Sequence, residues 1–104
     1  MGNMTLTSVI APMADQISKI CRRYEVSELA VFGSAARGDI GPDSDIDLLV
    51  EFKPDARIGL FKFAAMENEL AALLGRKVDL VTKNGLKPWI RPHVLRDAKI
   101  LYAA

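Results

Sequence analysis

Residues 31–52 read VFGSAARGDIGPDSDIDLLVEF. A short apolar run ends in Gly33-Ser34, ten residues intervene, and Asp45-Ile46-Asp47 opens a second apolar run. Successive side chains of a strand alternate faces, so Asp45 and Asp47 point the same way, roughly 6–7 Å apart. Ile46, Leu48 and Val50 point the other way, into a core. Leu49 shares the face of Asp47, and the run Asp47–Val50 is too apolar for a strand bathed in water on that side.

Two carboxylates on one face repel each other and need a cation, a shared proton or open water. Magnesium takes hard oxygen ligands and keeps waters and substrate phosphates beside one or two carboxylates. Gly33 lets the backbone turn tightly and approach a ligand. Ser34 is suited to cap a short following helix, whose free N–H groups attract anions. Taken singly, Gly-Ser is an ordinary turn and Asp-x-Asp an ordinary solvated strand face. Combined at this spacing, they describe a site that holds a nucleoside triphosphate and its metal ions side by side. A third carboxylate, Asp79, sits in Val78-Asp79-Leu80-Val81 and faces away from the core side of that run. In mid-strand it is costly unless solvated, paired or bound to metal.

On these residues the segment resembles the Gly-Ser-x10-Asp-x-Asp signature of the DNA-polymerase-beta-like nucleotidyltransferase superfamily. The chain as a whole resembles its smallest branch, the minimal nucleotidyltransferases (MNT), antitoxins paired with HEPN proteins. The resemblance runs from about Ser27 to Tyr102, and Ala36-Arg37-Gly38 is also typical of the branch. It implies that Asp79 joins Asp45 and Asp47 as a catalytic metal ligand, that two Mg2+ ions bind there, and that Asp79 accepts the proton of the attacking hydroxyl. It places Gly33, Ser34 and Arg37 at the phosphates. Arg37 would neutralise charge there, or pair with a loop carboxylate such as Asp39 or Asp43. It further implies that ATP is the substrate and that AMP passes to a tyrosine of a HEPN-type toxin. Two other readings remain: an antitoxin that neutralises its toxin by contact with little catalysis, and nucleotidyl transfer to a small molecule. Three intact carboxylates weigh against the first, and the lack of a second enclosing domain against the second.

With 104 residues, half of them apolar, the chain is expected to form one domain over residues 1–104, with residues 1–8 loose. There is no room for a separate nucleic-acid-binding domain, which argues against a self-sufficient template- or tRNA-directed polymerase and against nucleic acid as a partner. Homo-oligomerisation stays open. The single cysteine, Cys21, lies in an apolar helical pattern and reads as a buried structural thiol in a reducing cytoplasm. No secretory leader or 18-residue apolar span is present, so membrane insertion is not expected. The net charge of +1 conceals an asymmetry, because residues 76–104 carry seven basic side chains against Asp79 and Asp97. That segment either faces phosphates, RNA or an acidic partner, or is a solvated amphipathic helix.

The pattern predicts a helix over Pro12–Tyr24, a strand over Glu28–Phe32, a brief helical turn over Ser34–Arg37 and a loop over Gly38–Ser44. A strand follows over Asp45–Phe52, then a helix over Leu60–Leu74 capped by Gly75, and a strand over Lys77–Thr82. A helix over Pro88–Asp97, interrupted or restarted near Pro92, and a short strand over Ile100–Tyr102 complete the chain. The expected class is α/β (α+β): a small mixed sheet of three to four strands with helices mainly on one face. Phe61, Phe63 and Met66 are read as core, His93 as a surface or packing residue, and Trp89 and Tyr102 as core or partner-facing anchors.

Overall fold

The β-branched and aliphatic runs of the chain pair into one four-stranded sheet, seen in a computed structural model that describes residues 10–38 and 45–104. The strands are β1 (Val26–Phe32), β2 (Ile46–Phe52), β3 (Val78–Thr82) and β4 (Lys99–Ala103), in spatial order β3-β2-β1-β4. β1 runs antiparallel to β2 and β4, while β2 and β3 are parallel, so the sheet is mixed. The helices are α1 (Ala14–Arg23), α2 (Leu60–Leu74) and the short α3 (Arg91–Asp97). Residues 1–8 and most of the Gly38–Ser44 loop lie outside the described residues.

One face of the sheet makes the core. Leu29 and Val31, Ile46, Leu48 and Val50, and Val78 and Leu80 pack against Ile17, Ile20 and Cys21 of α1 and Met66, Leu70 and Leu74 of α2. Cys21 is fully buried, and that burial pushes its thiol up to about 12. The two helices are clamped together where Arg23 and the Tyr24 hydroxyl donate to Glu69. The Tyr24 hydrogen bond, seconded by Arg23, holds the Glu69 carboxyl below its ordinary value. At the β3 edge, Glu67 of α2 accepts a hydrogen bond from the Leu80 amide at 2.9 Å, occupying a backbone donor on the strand that carries Asp79. Among the described residues no helix is long and apolar enough to cross a membrane.

Several sequence expectations need correction. Phe61 is 90% exposed and Leu60 is exposed beside it, so neither belongs to the core. At about 100° per residue, Phe61 falls opposite the stripe of Met66, Leu70 and Leu74. Met66 is buried as expected, and Phe63 is half-buried, meeting Phe52 edge-on at 6.4 Å between ring centroids. Trp89 is exposed and stacked under the Lys87 ammonium, which settles it as a surface residue. Of the two alternatives expected for the last helix, the structure has the restart near Pro92, after a turn over residues 88–90. Pro92 sits in the first turn of α3, which starts at Arg91, because proline lacks only a donor that position would leave unused. β2 starts at Ile46, leaving Asp45 at its threshold, and β1 starts earlier than expected, at Val26.

Candidate active site

Strand register assembles the acidic residues. Asp47 of β2 is paired with Phe32 of β1 on one side and with Asp79 of β3 on the other. Neighbouring strands lie about 4.8 Å apart, so Asp47 and Asp79 stand side by side on the face away from the core. Asp45, two residues earlier, lies just before the start of the same strand. The face is not bare: Leu49, next to the acids, is 1% exposed, and Ala30 beside it is also buried. The chain after β3 returns across this side through contacts with β2 and β1 before entering β4.

The electrostatics report the crowding. The Asp47 carboxyl is held above its ordinary value, first by burial and then by the negative charges of Asp79 and Asp45. Asp45 and Asp79 are exposed, and Lys77 Nζ lies 3.9 Å from Asp45 Oδ2. The cluster therefore carries surplus negative charge around one desolvated carboxylate. Among the described residues no three acidic, histidine or cysteine side chains close into a ready-made ion cage. The donor set is three carboxylates at the open end of a sheet. It fits magnesium, which binds through a few carboxylates and completes its shell with water and substrate phosphates.

The glycine turn abuts this cluster. Gly33 has φ +73°, a conformation that L side chains rarely adopt, and a Cβ built there would lie 2.6 Å from Asp47 Oδ2. The backbone therefore calls for glycine, and a methyl added there would push the Asp47 carboxylate aside. The turn continues with the Arg37 amide donating to the Gly33 carbonyl at 3.3 Å, the brief helical turn expected over Ser34–Arg37. Ala35 and Ala36 plug it into the core, while Ser34 stays half-buried beside Gly33.

A family model described as a nucleotidyltransferase domain matches residues 14–102. The chain belongs to that family. A protein adenylyltransferase, MntA, of Thermococcus cleftensis is 40% identical over 97 residues, covering 93% of this chain and 96% of the relative. A solved structure described as a minimal nucleotidyltransferase is 37% identical with a TM-score of 0.76, covering 95% of this chain and 98% of its own. A chain from a solved complex of a tri-AMPylated HEPN toxin with its MNT antitoxin, from Shewanella oneidensis, shares the fold. Its TM-score is 0.66 at 21% identity, covering 90% of this chain and 72% of that one.

In this nucleotidyltransferase, α3 adds residues that sequence reasoning had not assigned to the site. A cleft of about 120 Å3 is lined by Phe32, Gly33, Arg37, His93, Val94 and Asp97. Arg37 Nη1 lies 3.8 Å from Asp97 Oδ2. The partner found for Arg37 is therefore on a distant helix, and the Asp39 and Asp43 suggested for it lie outside the described residues. The only sequence signal was the spacing of His93, Val94 and Asp97, which puts them on one helix face.

Proposed function

We propose that this nucleotidyltransferase uses ATP and transfers AMP to a tyrosine hydroxyl of a HEPN-type toxin, acting as its antitoxin in the cytoplasm. The observation that carries the reading is the Asp47 carboxylate, pressed against Gly33 and crowded by Asp45 and Asp79. The adenylyl donor and the protein acceptor are supported by the likeness to MntA, and the HEPN partner by the shared fold of the antitoxin chain.

Asp45, Asp47 and Asp79 would hold two Mg2+ ions. Such ions supply charge neutralisation on the triphosphate and activation of the incoming hydroxyl. Gly33 lets the backbone come close to the terminal phosphates, Ser34 donates to them, and Arg37 balances their charge. The tyrosine oxygen attacks the α-phosphorus, the bond from that phosphorus to pyrophosphate breaks, and Asp79 takes the tyrosine proton. A new phosphodiester links tyrosine to AMP, and pyrophosphate leaves. The domain is small and its site lies at the open end of the sheet, so the acceptor completes the enclosure. Trp89, Ile90, Leu95 and Ile100 are exposed apolar side chains in the basic C-terminal segment and offer the docking anchors.

The test is incubation of the chain with its toxin, ATP and magnesium, followed by intact-mass spectrometry. AMP should appear on the toxin, and Asp47→Asn should abolish it. Neutralisation of the toxin by Asp47→Asn without a mass change would instead establish inhibition by contact.

A further inference from the structure

We propose that Asp97 is a positioning residue for the nucleotide: from α3 it holds the Arg37 guanidinium beside the Gly33 turn, facing the phosphates. The inference rests on the nucleotide-site reading above and extends it to a second element of the fold. Arg37 and Asp97 are far apart in sequence, yet they meet at 3.8 Å across the small cleft that Gly33 also lines. Their side chains are 55% and 44% exposed, so the pair contributes little to stability. Its value lies in where it puts the guanidinium.

The backbone of Arg37 is already fixed, because its amide donates to the Gly33 carbonyl. What remains free is a long side chain with several rotatable bonds, whose ordering on ligand binding costs affinity. A carboxylate behind the guanidinium removes part of that cost before the ligand arrives. The contact is longer than a hydrogen bond and engages one nitrogen of a fork with five donors. The rest of the fork stays available to triphosphate oxygens. Asp97 therefore acts through Arg37 and touches no reacting atom.

The test is a double-mutant cycle read by calorimetric titration of the full chain with ATP and magnesium. Asp97→Asn should weaken ATP binding about two- to ten-fold, the factor expected for ordering one rotamer-rich side chain. Its melting temperature should hold. Asp97→Glu should recover part of the loss, and in an Arg37→Ala background Asp97→Asn should change nothing further. Tighter ATP binding by Asp97→Asn would overturn the proposal and make Asp97 a competitor of the phosphates. Unchanged binding, or an effect that persists without Arg37, would overturn it equally. A wild-type chain that binds no ATP with magnesium would sink the nucleotide-site reading itself, a result distinct from these.

Discussion

Replacing Gly33 by alanine tests the contact between turn and carboxylate, and a control for it exists within the same chain. Gly33 and Gly75 both have positive φ, +73° and +65°, so an alanine at either position carries the left-handed backbone cost of about 1–2 kcal/mol. They differ in what the new methyl meets: nothing within 4 Å at Gly75, and Asp47 Oδ2 at 2.6 Å at Gly33. Overlap of that kind adds about 1–3 kcal/mol when neighbours must move. Gly33→Ala should therefore cost roughly 2–5 kcal/mol and Gly75→Ala roughly 1–2 kcal/mol. In a domain of this size each kcal/mol lowers the melting temperature by about 4–8 °C. Calorimetric melts of the two variants should thus be clearly separated. Adding Asp47→Ala to Gly33→Ala removes the overlapping atom and should recover the excess, leaving only the backbone cost. On the proposed reading, adenylylation by Gly33→Ala should fall on the order of 100-fold, because a shift of about 1 Å in a group proposed to hold an ion is enough. If Gly33→Ala melts with Gly75→Ala and keeps its transfer rate, the close approach does not exist and the argument for this glycine fails.

Asp47→Asn removes a carboxylate whose folded-state value is raised, so its ionisation opposes folding. Without metal, the variant should match wild type below pH 3.8 and melt progressively higher than it as pH rises through the Asp47 titration. Glu69 has the opposite sign, being lowered by Tyr24 and then Arg23. The advantage of wild type over Glu69→Gln should be present near neutrality and lost as pH falls below 4.5, read from thermal melts across that range. Trp89→Ala should leave stability within about 0.5 kcal/mol, since the ring is exposed, yet weaken binding of the proposed HEPN-type partner by about ten-fold or more in a surface-binding assay.

What could be read from the residues was local. The Gly33-Ser34 turn, the alternation along Asp45–Phe52 and the glycine cap of α2 each depend on neighbours a few positions away, and the structure has all three. Asp79 was placed on the right face by its two flanking core residues. What was missed was either overlooked or non-local. In LFKFAAMENELAALL apolar residues crowd the first turn, and reading Phe61 as core by its residue type alone overlooked the period that sets it opposite Met66, Leu70 and Leu74. Asp97 looked like one charge among many on a basic helix, and only the return of the chain beside β1 brings it to Arg37. The clamp of Arg23 and Tyr24 on Glu69 likewise joins two helices whose charges, read singly, are unremarkable surface residues.

The buried thiol of Cys21 has a practical consequence. With its value pushed up to about 12 and no exposed surface, it is protonated and out of reach of maleimides at neutral pH. The native chain is therefore chemically silent towards thiol dyes without any cysteine being removed. One cysteine introduced at an exposed position would be the sole labelling point. Phe61→Cys, on the outer side of α2, and Trp89→Cys, in the basic segment, place a fluorophore on two separate surfaces. Whichever dye responds when the proposed HEPN-type partner is added locates the docked face in an otherwise unaltered core.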